Sequence, residues 1–207
     1  LMDPQQRLFL QEAWKALEDS GYGGKELSDI RCSVFVGCGH GDYSLAIRDN
    51  GVLPDFYTFM GSATSILSAR ISYFLNLKGP SLAIDTACSS SLVAIQMACD
   101  SIHKGESEMA LAGGVSVMTT PHYHVLFSKA NMLSPNGRCY TFDNRSDGFV
   151  PGDGVGAIIL KSLKSALKDR DHIYGVIKAS GINQDGKTNG ITAPSAASQT
   201  ALERSVY

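Results

Sequence analysis

The first twenty-one positions read as a helix start, a periodic body and a stop. Asp3 suits an N-cap, Pro4 the first helical position, and Gln6 stands three residues after the cap, the spacing of a capping box. Leu10, Ala13, Trp14 and Leu17 then recur at the interval of one buried helical face, and Gly21 supplies the end. Cys32 to Val36 is a short strand running into Gly37-Cys38-Gly39-His40-Gly41, and a second helix is predicted over Ser62 to Asn76. Leu67, Ile71, Phe74 and Leu75 share its apolar face, and Gly79-Pro80 punctuates its end.

Ser81 to Thr86 reads as a buried strand and Ser89 to His103 as a helix of small and apolar residues, with Cys88 where one passes into the other. Strand character resumes from Glu108 to Val117, a short helix is predicted from Tyr123 to Lys129, and Asn131 to Asp153 is a polar loop rich in turn residues. Val155 to Leu160 and Ile173 to Ala179 are predicted strands flanking a helix in which Lys161, Lys164 and Lys168 lie on one solvated side. A helical pattern is still running at Tyr207, so the chain reads as a piece of something longer. Strands alternating with helices predict an α/β protein.

Composition narrows the choice. At 207 residues, 43% hydrophobic and 18% charged, the chain has apolar residues enough for a substantial core. A net charge of −2 without a dense Lys/Arg run argues against nucleic acid as a partner. Met109 to Ser128 lacks Asp, Glu, Lys and Arg, but glycines, Pro121 and two histidines interrupt it, which argues against a membrane span. Five cysteines at irregular spacings match neither a disulfide framework nor a CxxC metal site, and point to free thiols in a reducing cytoplasm.

Two motifs compete for the chemistry. Asp85-Thr86-Ala87-Cys88-Ser89-Ser90-Ser91-Leu92 sets a thiol at the first turn of a helix, where unpaired N–H groups and the positive end of the macrodipole favour a thiolate or an oxyanion. The serines leave that turn uncrowded; the alternative is an inert, buried cysteine filling the core. Gly181 to Thr188 matches the phosphate-loop pattern GxxxxGK[ST] after a predicted strand, but Asn189-Gly190 and Pro194 break the helix such a loop needs, and Asp185 would oppose a phosphate. Asp143 to Gly148 begins like a calcium loop, yet Arg145 and Gly154 occupy ligand positions. His122 and His124 have no third ligand nearby, so no metal site is assigned.

DTACSSSL (85 to 92) resembles the nucleophile segment of β-ketoacyl synthases, specifically ketosynthase domains of modular polyketide synthases. MDPQQRLFLQEAWKALEDSGY (2 to 22), LAGGVSVM (111 to 118), MLSPNGRCYTFD (132 to 143), DGFVPGDGVGAIILK (147 to 161) and GINQDGKTNGITAPS (181 to 195) are similar to that family in the expected order. The last of these also accounts for the false phosphate loop. Asp153 and Tyr140 depart from the Glu and Lys expected there, which bears on subclass more than on chemistry.

The resemblance implies a thiolase-like α-β-α-β-α layered fold. Residues 1–190 would be most of the N-terminal half without its opening strand, and 191–207 the start of the C-terminal half. It implies a homodimer, with the strand from 81 to 86 near the dimer axis and Phe56 to Gly61 near the partner's acyl pocket. It implies that Cys88 takes an acyl chain from the phosphopantetheine thioester of an acyl carrier protein, and that a malonyl-type extender then condenses with it by decarboxylative Claisen chemistry. No cofactor is bound directly. Thr192 resembles a family hydroxyl near the pantetheine arm. The family's catalytic histidines, in HGTGT and NIGH segments, match none of His40, His103, His122, His124 and His172, so the fragment alone is expected to be inactive. A non-elongating ketosynthase that docks a carrier and holds a chain is the alternative, and a phosphate-loop NTPase a remote one.

Overall fold

The computed structural model describes residues 1–24, 27 and 30–207. The first helix, α1 (Pro4–Asp19), is capped by Asp3, whose carboxylate accepts from the Gln5 N–H at 2.8 Å. Gly21 at φ +81° ends it, and the Tyr22 N–H reaches back to the Leu17 carbonyl. The capping box does not form. Gln6 is buried and turned away, donating to the carbonyls of Met60 and Ala63 and accepting from Arg70. The buried face is also rotated from the expected one: Phe9, Ala13 and Leu17 are inaccessible, whereas Trp14 is 40% exposed.

The strands β1 (Cys32–Gly37), β2 (Ser81–Ile84), β3 (Met109–Ser116) and β4 (Gly154–Lys161) form a sheet in the order β2-β1-β3-β4. The first three are parallel and β4 runs antiparallel to β3. Between β1 and β2 lie α2 (Tyr43–Asp49), α3 (Phe56–Ser62) and α4 (Thr64–Leu75). The helix expected over 62–76 is α4, which starts two residues later because Ala63, between α3 and α4, is extended at ψ 123°. Asp55 caps α3 by accepting from the Thr58 N–H, a start that the sequence reading overlooked. Between β2 and β3 lies α5 (Ser90–His103), and beyond β3 come α6 (His122–Lys129), α7 (Leu163–Asp169) and α8 (Ala196–Val206).

The strands alternate their side chains between two cores of different grain. Cys32, Val34, Val36, Met109, Leu111 and Val115 face α1 and α4, meeting Phe9, Ala13, Leu17, Leu67 and Ile71. Phe35, Ala110 and Ala112 face α5, where they meet only Ala94 and Ala98 among the buried residues. The sheet therefore lies between helices on both faces, and the α5 face is the one richer in alanine, with Phe35 its one large buried side chain.

Three other expectations need correction. Strand β2 is an edge strand, partly exposed rather than buried. Ile173 to Ala179 forms no strand: no neighbouring strand pairs with it, and Tyr174 is 80% exposed. Lys161 is not on the solvated side of a helix but closes β4, where its ammonium meets Asp169, Asp171 and the Tyr22 hydroxyl. Burial works to lower the Lys161 ammonium's pKa, but those three partners outweigh it and raise it.

At the other end of the sheet, the buried Asp42 carboxylate takes four hydrogen bonds, from the N–H and hydroxyl groups of Thr119 and Thr120, at 2.6 to 2.9 Å. Burial acts to raise this carboxyl, but the four donors outweigh burial and hold it below the ordinary carboxylate range. Because the native value is the lower one, this stabilisation is complete above about pH 4, the unfolded value, and is lost as pH falls through the native value. Asp42→Asn, which turns an amide towards two donors, is expected to cost about 1–3 kcal/mol at neutral pH. Its melting temperature should also fall less on acidification than that of the unsubstituted protein, as thermal unfolding followed from pH 6 to pH 3 would reveal; parallel curves would refute the assignment.

Candidate active site

The site is built where β2 hands the chain to α5. After Ile84 the strand ends, and a single 3-10 turn, Ala87–Ser89, leads into the helix. Cys88 is the middle residue of that turn and is exposed. Ala87 has φ +55°, a left-handed conformation that an L-residue with a β-carbon adopts only when its surroundings hold it there.

Side chains supply that hold. The Asp85 carboxylate accepts from the Ala87 N–H at 3.1 Å. The Ser90 hydroxyl accepts from the Thr86 N–H at 2.8 Å and donates to the Ala87 carbonyl at 2.7 Å. The Ser89 hydroxyl donates to the Thr86 carbonyl at 2.9 Å. No side chain caps α5; the preceding 3-10 turn runs into it, the Ser90 N–H donating to the Ala87 carbonyl.

The turn sits on the sheet because the strands make room for it. A β-carbon added at Gly37, the last residue of β1, would strike the main chain of Ser90 and Ser91, with the Ser90 carbonyl oxygen 2.7 Å away. One added at Gly114 in β3 would lie 2.7 Å from the Ser91 β-carbon. Two glycines on neighbouring strands thus let the start of α5 rest against the carboxyl ends of β1 and β3. In parallel α/β sheets those ends are where ligands bind.

The five thiols are not equivalent. Burial pushes the Cys32 thiol up to about 11, and burial together with the carboxylates of Asp85 and Asp3 pushes Cys38 up to about 12. Cys99 is also raised, chiefly by burial. Cys88 and Cys139 are exposed, and only Cys88 stands at the start of a helix that packs on the sheet.

Thr192 lies apart in the chain, exposed, in a turn closed by the Ala193 N–H to the Gly190 carbonyl. The phosphate-loop pattern at Gly181 to Thr188 meets no helix until Ala196, and the Asp185 carboxylate accepts from the Ser195 N–H at 3.1 Å. His122 and His124 sit on α6, and Asp143 pairs with Arg145. Among the described residues no group of three or more His, Cys, Asp or Glu side chains converges as a metal site would require. Also among them, no helix is long and apolar enough to cross a membrane.

The sequence reading found Cys88 but missed the roles of Asp85, Ala87, Ser90, Gly37 and Gly114. An Asp two residues before a turn residue is an Asx-turn signal that was legible. The role of Gly37 is not local, since the main chain it packs against lies more than fifty residues away.

The family model described as "Beta-ketoacyl synthase, N-terminal domain" matches residues 1–166. Polyketide synthase PksL of Bacillus subtilis is 53% identical over the whole chain, which spans 4% of that protein. Reducing polyketide synthase grgA of Penicillium is 48% identical, again over the whole chain and 8% of its own length. Among solved structures, the ketosynthase from module 6 of the bacillaene synthase of Bacillus subtilis superposes with a TM-score of 0.91 at 52% identity, covering all of this chain and 35% of that one. The oxazolomycin ketosynthase domain OzmH KS7 of Streptomyces albus gives a TM-score of 0.90 at 38% identity, covering 98% of this chain and 35% of that one. The thiolase-like fold of the ketosynthases is therefore the fold of this chain.

Brief alkylation with iodoacetamide at about pH 8 is expected to modify Cys88 and Cys139 well before Cys32 and Cys38, whose buried thiols stay protonated. Peptide mapping by mass spectrometry reads the order, and early labelling of Cys38 would contradict the described packing. Gly37→Ala is expected to destabilise the fold by about 1–3 kcal/mol, since main chain rather than a flexible side chain must move, and denaturant unfolding measures it.

Proposed function

This chain belongs to the β-ketoacyl synthase family, and on that premise we propose that it is the Cys88-bearing part of a ketosynthase that extends polyketide chains. The observation that carries the proposal is the exposed thiol of Cys88 at the uncapped start of α5, one residue after the left-handed Ala87. The full enzyme is a transferase of the synthase type. Its working partners would be carrier proteins that present substrates on phosphopantetheine, and five unpaired cysteines suit a reducing cytoplasm.

Cys88, as its thiolate, attacks the carbonyl of an acyl thioester on the carrier's pantetheine arm. A carbon–sulfur bond forms, the tetrahedral oxyanion draws on main-chain N–H groups of the Cys88 turn, and the pantetheine sulfur leaves and takes up a proton. Thioester exchanges for thioester, so the transfer is nearly balanced and the acyl carbon stays electrophilic. A carrier-bound malonyl-type extender then loses CO₂, and its enolate carbon attacks the acyl-Cys88 carbonyl. The carbon–carbon bond forms as the Cys88 sulfur leaves, giving a 3-oxoacyl thioester on the carrier. Thr192, in the TAP segment, is assigned to the pantetheine arm.

Within this reading, residues 1–190 are most of the N-terminal half of the ketosynthase and 191–207 begin the C-terminal half. A homodimer is supported by two features of this chain. Strand β2 is an edge strand with Leu82 43% exposed, and α3 turns Phe56, Tyr57 and Phe59 outwards at 64 to 70% exposure. An unpaired edge and a solvent-facing aromatic cluster both ask for cover.

Intact-mass analysis of the complete ketosynthase that carries this chain, treated with an acyl-pantetheine donor, tests the assignment. One acyl group is expected to add to the unsubstituted protein and none to Cys88→Ala. Undiminished acylation of Cys88→Ala would reject Cys88 as the acceptor.

A further inference from the structure

Three side chains hold the main chain just ahead of Cys88, and their surroundings set them apart. Asp85 and Ser89 are exposed, so each of their hydrogen bonds competes with water and contributes little net fixing. Ser90 is 6% exposed. Its hydroxyl spends its one proton on the Ala87 carbonyl and a lone pair on the Thr86 N–H, so it ties together the two peptide units on either side of the Thr86–Ala87 junction. Ser90 is itself packed in place: it opens α5 and its main chain rests against Gly37. An otherwise unfavourable left-handed Ala87 is thus fastened, by a shielded hydroxyl, to the helix start that packs on the sheet.

We propose that Ser90 is a positioning residue: its hydroxyl holds Ala87 in the left-handed conformation, and so aims the Cys88 sulfur away from the sheet. This rests on the reading of Cys88 as acyl acceptor. Ser90 does not touch the acyl group. It acts through the backbone of the turn, which without that hydroxyl relaxes towards the ordinary right-handed or extended regions and carries the sulfur with it.

The consequence is specific, because glycine populates φ near +55° without a steric cost and needs no such fastening. In the complete ketosynthase, Ser90→Ala is expected to slow single-turnover acylation of Cys88 by about ten- to a hundredfold, the scale of a roughly 1 Å misplacement. The double variant Ser90→Ala/Ala87→Gly is expected to recover most of that loss. A hydroxyl that merely stabilised the fold would not be replaced by a glycine three residues away, so this recovery separates positioning from structure.

Thermal unfolding of each variant accompanies the rates. Acylation of Ser90→Ala at the unsubstituted rate overturns the proposal. So does a double variant that stays as impaired as Ser90→Ala, whether in folding or in acylation. Failure of the underlying reading would look different: Cys88→Ala would then still take up the acyl group.

Discussion

The closeness of α5 to the sheet is the constraint on which the site depends. A helix usually stands off from a sheet by the size of the side chains between them. Here four alanines, Ala94, Ala98, Ala110 and Ala112, join Phe35 as the buried residues of the layer, and at the strand ends it thins to the glycines at 37 and 114. The first turn of the helix thereby touches strand main chain, and the connection from β2 must be short. A chain that ends a strand and starts a helix within five residues has to turn sharply, and Ala87 takes the strain of that turn.

Alanines bury little surface each, so Phe35 apart, the buried residues of the face that builds the site contribute modestly to stability. The opposite face compensates. Phe9, Leu17, Ile71, Met109 and Leu111 are wholly inaccessible there, each stabilising by roughly 1.5–3 kcal/mol relative to an exposed side chain. The two faces of one sheet thus divide the labour: α1 and α4 anchor the strands with bulk, which leaves α5 free to be selected for closeness. The helix Trp14 belongs to obeys the same logic, since the large residues that matter on α1 are those aimed at the sheet.

Polar groups fix the ends. At the carboxyl ends of β1 and β3, Asp42 gathers Thr119 and Thr120, while Gln5 donates to the Gly39 carbonyl and accepts from the Val117 N–H. These bonds order the loops that flank the Cys88 turn. At the far end, Lys161 binds Asp169 and Asp171, joining the close of β4 to the end of α7 and the segment beyond it. Each network places a charged group where burial penalises it and then supplies enough partners to outweigh the penalty.

Local signals in the sequence determined the four strands of the sheet and the helices α1, α4, α5 and α6, the cap at Asp3, the stop at Gly21 and the thiol between a strand and a helix, because those features rest on neighbours within a few residues. They misplaced the buried face of α1 and assigned a capping role to Gln6, since which side of a helix is covered depends on the helix it meets, in this case α4 and the segment around Met60. They predicted a strand over Ile173 to Ala179, where β-propensity is real but a strand also needs a partner to bond with. Only the tertiary structure decided that Gly37 and Gly114 lie under Ser90 and Ser91, that β2 is an edge, and that of five similar thiols Cys88 stands exposed at a helix start while Cys32 and Cys38 are sealed. The reason is one of range: a sequence motif records which atoms are adjacent along the chain, whereas reactivity depends on which atoms are adjacent across it.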